Sequence, residues 1–235
     1  MRRSAGNMVA DIYRKDFNAF IHRSFLELNP QATFHYNWHH DVVADALLDV
    51  FFGRNRRLIS NMPPRHLKSF AASVAFPAWV LGHRPWAQIL SVTYGQELSD
   101  ALARSSRRLM TSPFYEALFE TRLARGREAV SDFETTQGGF RLSTSVGGTL
   151  TGRGADIIII DDALKADEAL SVPRRTAVND WYDNTLRSRL NNQETGSIII
   201  VMQRLHADDL TAHVQQHEDG WRVLSFPAIA EADEQ

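Results

Sequence analysis

The apolar residues of this chain fall into two kinds of segment. In the first kind they recur at helical spacing, and these segments predict helices at about 11–28, 38–51, 68–81, 96–110, 113–119, 173–190 and 208–217. In the second kind they form short aliphatic runs bounded by turn-forming residues, which predict strands at about 58–62, 88–93, 157–160, 197–202 and 221–226. Strands that alternate with helices favour a doubly wound α/β fold, with a mainly parallel sheet flanked by helices.

Three further segments refine this prediction. Residues 131–136 and 139–145 flank Gln137-Gly138, which predicts a β-hairpin inserted into the fold, and the charged residues 122–128 predict a loop before it. Residues 147–154, the glycine-rich loop, lead into four consecutive isoleucines at 157–160. An aliphatic run without alternation is typical of a parallel strand buried on both faces.

Composition narrows the class of protein. With 235 residues, 43% hydrophobic and 23% charged, the chain is typical of a globular domain, and no apolar run approaches the roughly 18 residues of a membrane span. The basic residues 1–4 precede no apolar core, which argues against a signal peptide, and the absence of cysteine excludes disulfides and thiolate metal sites. The net charge of −2 offers no global argument for nucleic-acid binding.

We divide the chain into an N-terminal helical segment (1–56), a core (57–227) and a linker (228–235).

The first candidate site is the phosphate loop, residues 62–69, which joins a predicted strand to a predicted helix. The first N–H groups of a helix lack internal partners and favour an anion, and Lys68 and Ser69 would add a mobile charge and a ligand for Mg²⁺. Both glycines of the G-x-x-x-x-G-K-[ST] pattern are missing, so a basic loop that only caps a helix is the alternative. Only three of the 26 basic residues are lysines, which makes a lysine at this position informative.

The second candidate site is the acidic pair Asp161-Asp162 at the end of the isoleucine run. One carboxylate at such a strand end can hold Mg²⁺, and the next can orient or deprotonate a water molecule. The alternative is a strand that ends in a solvated acidic turn. Together with the phosphate loop, the pair favours a nucleotide-hydrolysing P-loop domain.

A third cluster contains His35, His39 and His40, next to Trp38. A metal site is one interpretation, although the spacing is imperfect and lacks an accompanying carboxylate pattern. An aromatic and polar lip for a flat base is the favoured interpretation, and a buried helix start is the third.

Four segments in this order carry a resemblance to a known family: residues 62–69, 148–156, 157–165 and 203–210. Together they resemble the ATPase half of the large terminase subunit of tailed bacteriophages and prophages, over about residues 34–229. The resemblance implies a P-loop NTPase of the additional-strand (ASCE) type, with ATP and Mg²⁺ as cofactors. It also implies a motor that moves double-stranded DNA into a procapsid, with the portal protein and the small terminase subunit as partners.

The family resemblance assigns roles to residues of the phosphate loop and the acidic pair. Pro64, Arg65, His66, Leu67, Lys68 and Ser69 would surround the phosphates. Ser69 and Asp161 would hold Mg²⁺, and Asp162 would be the catalytic carboxylate, where many relatives have glutamate. Trp38 and His39 would border the base.

Two further assignments concern Gln203 and the arginines. Gln203 resembles a sensor of the γ-phosphate, with a polar strand-end cap as the alternative. A transition-state arginine is expected; Arg153, supplied to a neighbouring subunit of a ring, is the first candidate, and Arg65, acting within its own subunit, is the second. Because relatives usually have glycine where Leu67 stands, we expect weak nucleotide affinity in the isolated domain.

Full-length members of the family carry a C-terminal nuclease domain, and from this chain we expect the motor chemistry without DNA cleavage. The family implies a homo-oligomeric ring assembled on the portal, in the host cytoplasm and not in a membrane. Two alternatives stay open at this point: a helicase-like DNA translocase, and a catalytically silent assembly module of the packaging complex.

Overall fold

The computed structural model describes residues 5–150 and 152–228, without the side chains of residues 5–7, 127 and 128. Most of the predicted linker, residues 229–235, and the basic start, residues 1–4, therefore lie outside the described residues. The α-helices are α1 (Ala5–Lys15), α2 (Phe17–Leu28), α3 (His39–Phe51), α4 (Phe76–His83), α5 (Gln96–Met110), α6 (Pro113–Leu118), α7 (Val172–Trp181) and α8 (Leu210–His217). The strands are β1 (Arg57–Asn61), β2 (Gln88–Thr93), β3 (Leu123–Glu128), β4 (Asp132–Thr135), β5 (Phe140–Ser145), β6 (Ile157–Asp161), β7 (Ser197–Met202) and β8 (Arg222–Ser225).

The strands form one sheet in the order β3-β4-β5-β2-β6-β7-β1-β8. The six strands from β5 to β8 are parallel, and β3 and β4 add an antiparallel edge. The sheet order places β7 between β1, which leads to the phosphate loop, and β6, which carries the acidic pair. The predicted fold class is confirmed: a mainly parallel sheet flanked by helices, with a β-hairpin insertion.

Helices cover both faces of this sheet, so its central strands are buried on both sides. On one face, residues of α2, α3, α4 and α5 pack against Ile157 and Ile159 of β6. On the other face, residues of α7 and α8 pack against Ile158 and Ile160. The four isoleucines thus alternate between two cores, as predicted for a parallel strand without polar positions.

The structure corrects two predictions from the sequence pattern. The helix predicted over 11–28 is two helices, because the Asp16 side chain caps α2 by accepting from the Ala19 N–H at 2.9 Å. Residues 122–128, predicted as a loop, contain β3, which pairs with β4 at the edge of the sheet. A charged strand is compatible with an edge position, where one side of the backbone meets water.

Two predicted helices contain irregular turns. The helix after the phosphate loop begins with a π-helical stretch, Phe70–Ala75 (the π segment), and continues as α4 to His83, two residues beyond its predicted end. Helix α7 is followed by a π-helical turn, Tyr182–Leu186, and a short 3₁₀ turn, Arg187–Arg189. Within the described residues, none of the helices has the length and apolar character needed to cross a membrane.

Candidate active site

The two candidate motifs meet at one edge of the sheet, where β1, β6 and β7 end. The Lys68 Nζ donates to Asp162 Oδ1 at 2.6 Å, across 94 residues of sequence. Lys68 is buried, with 6% of its side chain exposed, and Asp162 is about one-quarter exposed at 27%. The pair therefore lies at the rim of the protein interior, where an ammonium and a carboxylate interact more strongly than in water.

Asp161 is the buried member of the acidic pair, and both of its carboxylate oxygens are engaged. The Ser69 hydroxyl donates to Oδ1 at 2.8 Å, and the Ser73 hydroxyl donates to Oδ2 at 2.6 Å. Burial, and next the neighbouring charge of Asp162, raise the pKa of Asp161 to about 6, while Ser73, Ser69 and Lys68 oppose that rise. The Asp161 and Ser69 oxygens together form an oxygen donor set of the kind that Mg²⁺ prefers.

The phosphate loop takes a glycine-like path without glycine. Arg65 and Leu67 have φ values of 66° and 59°, in the left-handed region that residues with a Cβ seldom adopt. The backbone N–H groups of Leu67, Lys68 and Ser69 have no hydrogen-bond acceptor among the described residues. These free N–H groups next to a buried lysine, at the start of a helix, form a cradle suited to an anion.

Asp162 is also held in an uncommon backbone conformation, with φ at 48°. Its N–H donates to the Val201 carbonyl at 2.8 Å, and its carbonyl accepts from the Tyr94 N–H at 2.9 Å. Its Oδ1 accepts from the Gln203 N–H at 3.0 Å in addition to Lys68. Strained residues of this kind persist only where neighbours fix them, and they concentrate at functional sites.

A cleft of about 680 Å³ opens beside the phosphate loop, within the size range of ligand pockets. Trp38, His39, His66 and Phe226 line it. Trp38 is 62% exposed, and its ring lies 5.6 Å from that of Phe226. The predicted base-binding residues Trp38 and His39 thus lie together at the rim of the phosphate loop, on an aromatic surface suited to a flat ring.

Two of the three histidines of the third cluster, His39 and His40, are buried, whereas His35 is exposed. Burial, and next the proximity of His39, lower the pKa of His40 to about 4, and burial also lowers the pKa of His39. The His40 Nδ1 accepts from the Asn37 N–H at 3.2 Å. Among the described residues no group of three metal-ligating side chains is present, so the metal interpretation of His35, His39 and His40 receives no support there.

The two candidate arginines lie in different surroundings. Arg153 donates to Asp132 Oδ1 at 2.6 Å and stacks 4.8 Å above the Phe140 ring, so its contacts among the described residues are with the β4–β5 hairpin. Arg65 is exposed and forms no ion pair with the described part of the chain. Of the two, Arg65 is the one that the structure places on the phosphate loop itself.

The structure brings three further residues to the site that the sequence patterns did not single out. Ser73 binds Asp161, Phe226 faces Trp38, and Arg141 of β5 donates to the Ser73 carbonyl at 3.0 Å. A signal for Ser73 existed, because it follows Ser69 by about one helical turn. Arg141 and Phe226 reach the site only through the pairing of strands, which single-sequence patterns do not reveal.

The residues at this edge fit a magnesium nucleotide. The free N–H groups and Lys68 match the phosphates, Ser69 and Asp161 supply oxygens for the cation, and the 680 Å³ cleft adjoins them on the base side. Asp162 lies beside the same lysine and is partly accessible to water.

Comparison with known proteins identifies the fold. Neither the protein-family models nor the curated proteins include a match to this sequence. Among solved structures, the crystal structure of the large terminase of bacteriophage HK97 is similar over 94% of this chain and 45% of that chain, with a TM-score of 0.60 and 13% sequence identity. The chain thus spans less than half the length of that large terminase. The resemblance stated from the four motifs is confirmed at the level of structure: this chain has the fold of a terminase large subunit.

Proposed function

We propose that this chain is the ATPase motor domain of a viral terminase large subunit, which hydrolyses ATP in the presence of Mg²⁺ to move double-stranded DNA into a procapsid. The observation that carries the proposal is the convergence of Lys68 and Ser69 with Asp161 and Asp162 at one sheet edge. The terminase fold supports the same proposal. The portal protein, the small terminase subunit and further copies of this chain in a ring are the partners that the proposal includes.

Each side chain of the site has a part in the proposed reaction. Lys68 binds phosphate oxygens, and its release from Asp162 would leave that carboxylate able to orient the attacking water and accept its proton. Ser69 and Asp161 would hold Mg²⁺, which when bound neutralises the charge of the phosphates. The carboxylate of Asp162 is one methylene shorter than a glutamate, so the water must lie close to β6.

Gln203 and the arginines complete the proposed site. The Gln203 N–H donates to Asp162, so a shift of Asp162 upon hydrolysis would be transmitted directly to Gln203 at the end of β7. Arg65 would neutralise transition-state charge within its own subunit. Arg153 would have to leave Asp132 to serve a neighbouring subunit.

The test is ATP turnover by the purified chain, with and without double-stranded DNA, at several protein concentrations. Wild type is compared with Asp162→Asn and with Asp219→Asn, an exposed acid outside the site, as the matched control. We expect turnover in wild type and the control, and loss of at least about a hundred-fold in Asp162→Asn. Equal turnover in all three proteins would contradict the proposal. Duplex unwinding would indicate a helicase-like translocase instead, and the absence of nucleotide binding a silent assembly module.

A further inference from the structure

A buried arginine lies behind the site and has no part in the function proposed above. Arg141 is fully buried, with no exposed surface. Burial lowers its pKa to about 9, opposed by the charge of Asp161, so the guanidinium is protonated at neutral pH. A buried charge costs several kcal/mol unless its surroundings compensate for it. The contacts that Arg141 forms must therefore compensate for this cost.

The contacts of Arg141 lead directly to the helix that follows the phosphate loop. One terminal nitrogen donates to the Ser143 hydroxyl on the same strand, and the other donates to the Ser73 carbonyl at 3.0 Å. Its Nε has no partner among the described residues. Ser73 is fully buried and lies in the π segment, where backbone hydrogen bonds are spaced five residues apart.

The hydroxyl of Ser73 in turn fixes the buried carboxylate of the site. Ser73 donates to Oδ2 of Asp161 at 2.6 Å, and Ser69 donates to Oδ1 at 2.8 Å. Two donors on the two oxygens determine the plane of the carboxylate. Ser69 belongs to the phosphate loop, whereas Ser73 lies beyond it, inside the π segment.

We propose that Arg141 and Ser73 are positioning residues of the metal site: Arg141 fixes Ser73, and Ser73 orients the Asp161 carboxylate so that Oδ1 faces Ser69. The inference rests on the proposed function, because it presumes that Ser69 and Asp161 hold a divalent cation. It links β5, two strands away from β6, to the metal ligands. A charged donor suits this position because its hydrogen bonds are stronger than those of a neutral group.

The first test is the affinity for Mn²⁺, a paramagnetic substitute for Mg²⁺, measured by electron paramagnetic resonance with ADP present. Ser73→Ala is compared with wild type and with Ser106→Ala. Ser106 is an equally buried helical serine whose hydroxyl has no partner in the described residues, so it is a matched control. Loss of a group that orients a metal ligand typically weakens metal binding about 10- to 100-fold. We expect that loss in Ser73→Ala, wild-type affinity in Ser106→Ala, and unchanged binding of ADP without metal in both.

The second test asks whether Arg141 acts through Ser73. Arg141→Lys keeps the charge but loses the fork of donors, and Arg141→Met keeps much of the volume but loses the charge. We expect both to weaken Mn²⁺ binding, with thermal unfolding measured in parallel to show that the proteins are folded. The double variant of Arg141→Lys and Ser73→Ala should bind Mn²⁺ no more weakly than Ser73→Ala alone.

Three results would overturn the inference, and they differ in meaning. Equal Mn²⁺ affinities for Ser73→Ala and Ser106→Ala would remove the role of Ser73. Additive losses in the double variant would remove the link from Arg141. A wild-type protein that binds ADP without any dependence on Mn²⁺ or Mg²⁺ would remove the metal site, and with it both this inference and the proposed function.

Discussion

Two loops of this molecule reach the left-handed backbone region by opposite means. In the phosphate loop, Arg65 and Leu67 adopt it without glycine, whereas in the glycine-rich loop Gly147 and Gly152 adopt it with φ values of 72° and 71°. A residue with a Cβ loses roughly 1–2 kcal/mol in this region, and glycine loses almost nothing. The shape of the phosphate loop must therefore be imposed by its surroundings.

Those surroundings come from distant parts of the chain. Leu67 lines a small apolar cavity with Ile21 of α2 and His40 of α3. Lys68 is held by Asp162 of β6. Strain that several elements maintain is typical of a functional site, while the glycine-rich loop needs no such support for its turns. We therefore expect changes to the support of the phosphate loop to alter nucleotide binding as well as stability, and changes to the glycine-rich loop to alter stability.

The largest expected effect follows from removing the lysine. Lys68→Ala leaves Asp162 without its cation and deprives bound phosphate of its buried charge. We expect ATP turnover to fall by about a hundred- to a thousand-fold. Lys165→Ala is the control, because Lys165 is exposed and its ion pair among the described residues is with Asp167, outside the site. Similar turnover in the two variants would show that the strained loop is not a phosphate site.

Acid should lower the stability of the fold through His40, which lines the small cavity next to Leu67. The pKa of His40 is about 4 in the folded protein and 6.5 when unperturbed, so between these values the unfolded chain binds a proton that the folded chain does not. Stability supplied by neutral His40 is present above pH 6.5 and is lost as the pH falls toward 4, by an amount on the order of 3 kcal/mol.

Urea unfolding at pH 7.5 and pH 5, for wild type and His40→Gln, measures the part of this loss that occurs above pH 5, on the order of 2 kcal/mol. The raised pKa of Asp161 acts in the opposite direction, but it is common to both proteins and cancels in their difference. His217→Gln, at an exposed histidine, should retain the acid sensitivity of wild type. Identical pH dependence in wild type and His40→Gln would refute the prediction.

Substitutions at Gly152 and Gly154 of the glycine-rich loop distinguish steric crowding from backbone strain. A Cβ at Gly154 would meet the side-chain oxygen of Asn191, whose amide nitrogen is bonded to Gln88 and Asp156, both at 2.9 Å. Gly154→Ala should therefore destabilise the fold by about 1–3 kcal/mol. A Cβ at Gly152 would meet nothing within 4 Å, so Gly152→Ala should lose only about 1 kcal/mol, from its positive φ. Urea unfolding measures both, and a greater loss at Gly152 would contradict the crowding argument.

The smallest expected effect concerns Leu67. Leu67→Gly removes the strain at φ 59°, and we expect nucleotide affinity to rise by up to about ten-fold, since about 1.4 kcal/mol corresponds to that factor. Leu67→Ala is the matched control, because it loses the contacts of the same isopropyl group but keeps the Cβ. A low-micromolar affinity in wild type, or equal affinities in the two variants, would remove the reason to regard Leu67 as a restraint on binding.

Sequence patterns predicted the order of elements well because long apolar periods dominate the choice between helix and strand. They also placed Lys68 and Asp162 at the ends of two predicted strands, and the parallel sheet brings those two ends to one edge. They missed β3, whose charged residues carry no apolar signal, and the break at Asp16, where a single cap interrupts a continuous apolar pattern.

The residues that were missed share one physical cause. Arg141 and Phe226 reach the site through strand pairing and helix packing, which join parts of the chain that are far apart in sequence. The left-handed backbone conformation of Leu67 could not be predicted either, because a leucine in the sequence does not indicate this conformation. The sequence showed only that glycine was missing there.

The most direct test of the central claim is a calorimetric titration of the wild-type chain with ADP, with and without Mg²⁺, alongside Lys68→Ala. The account predicts binding that Mg²⁺ strengthens and that Lys68→Ala abolishes. An ADP affinity that changes neither with Mg²⁺ nor with Lys68→Ala, or no binding at millimolar ADP, would contradict the proposed nucleotide site.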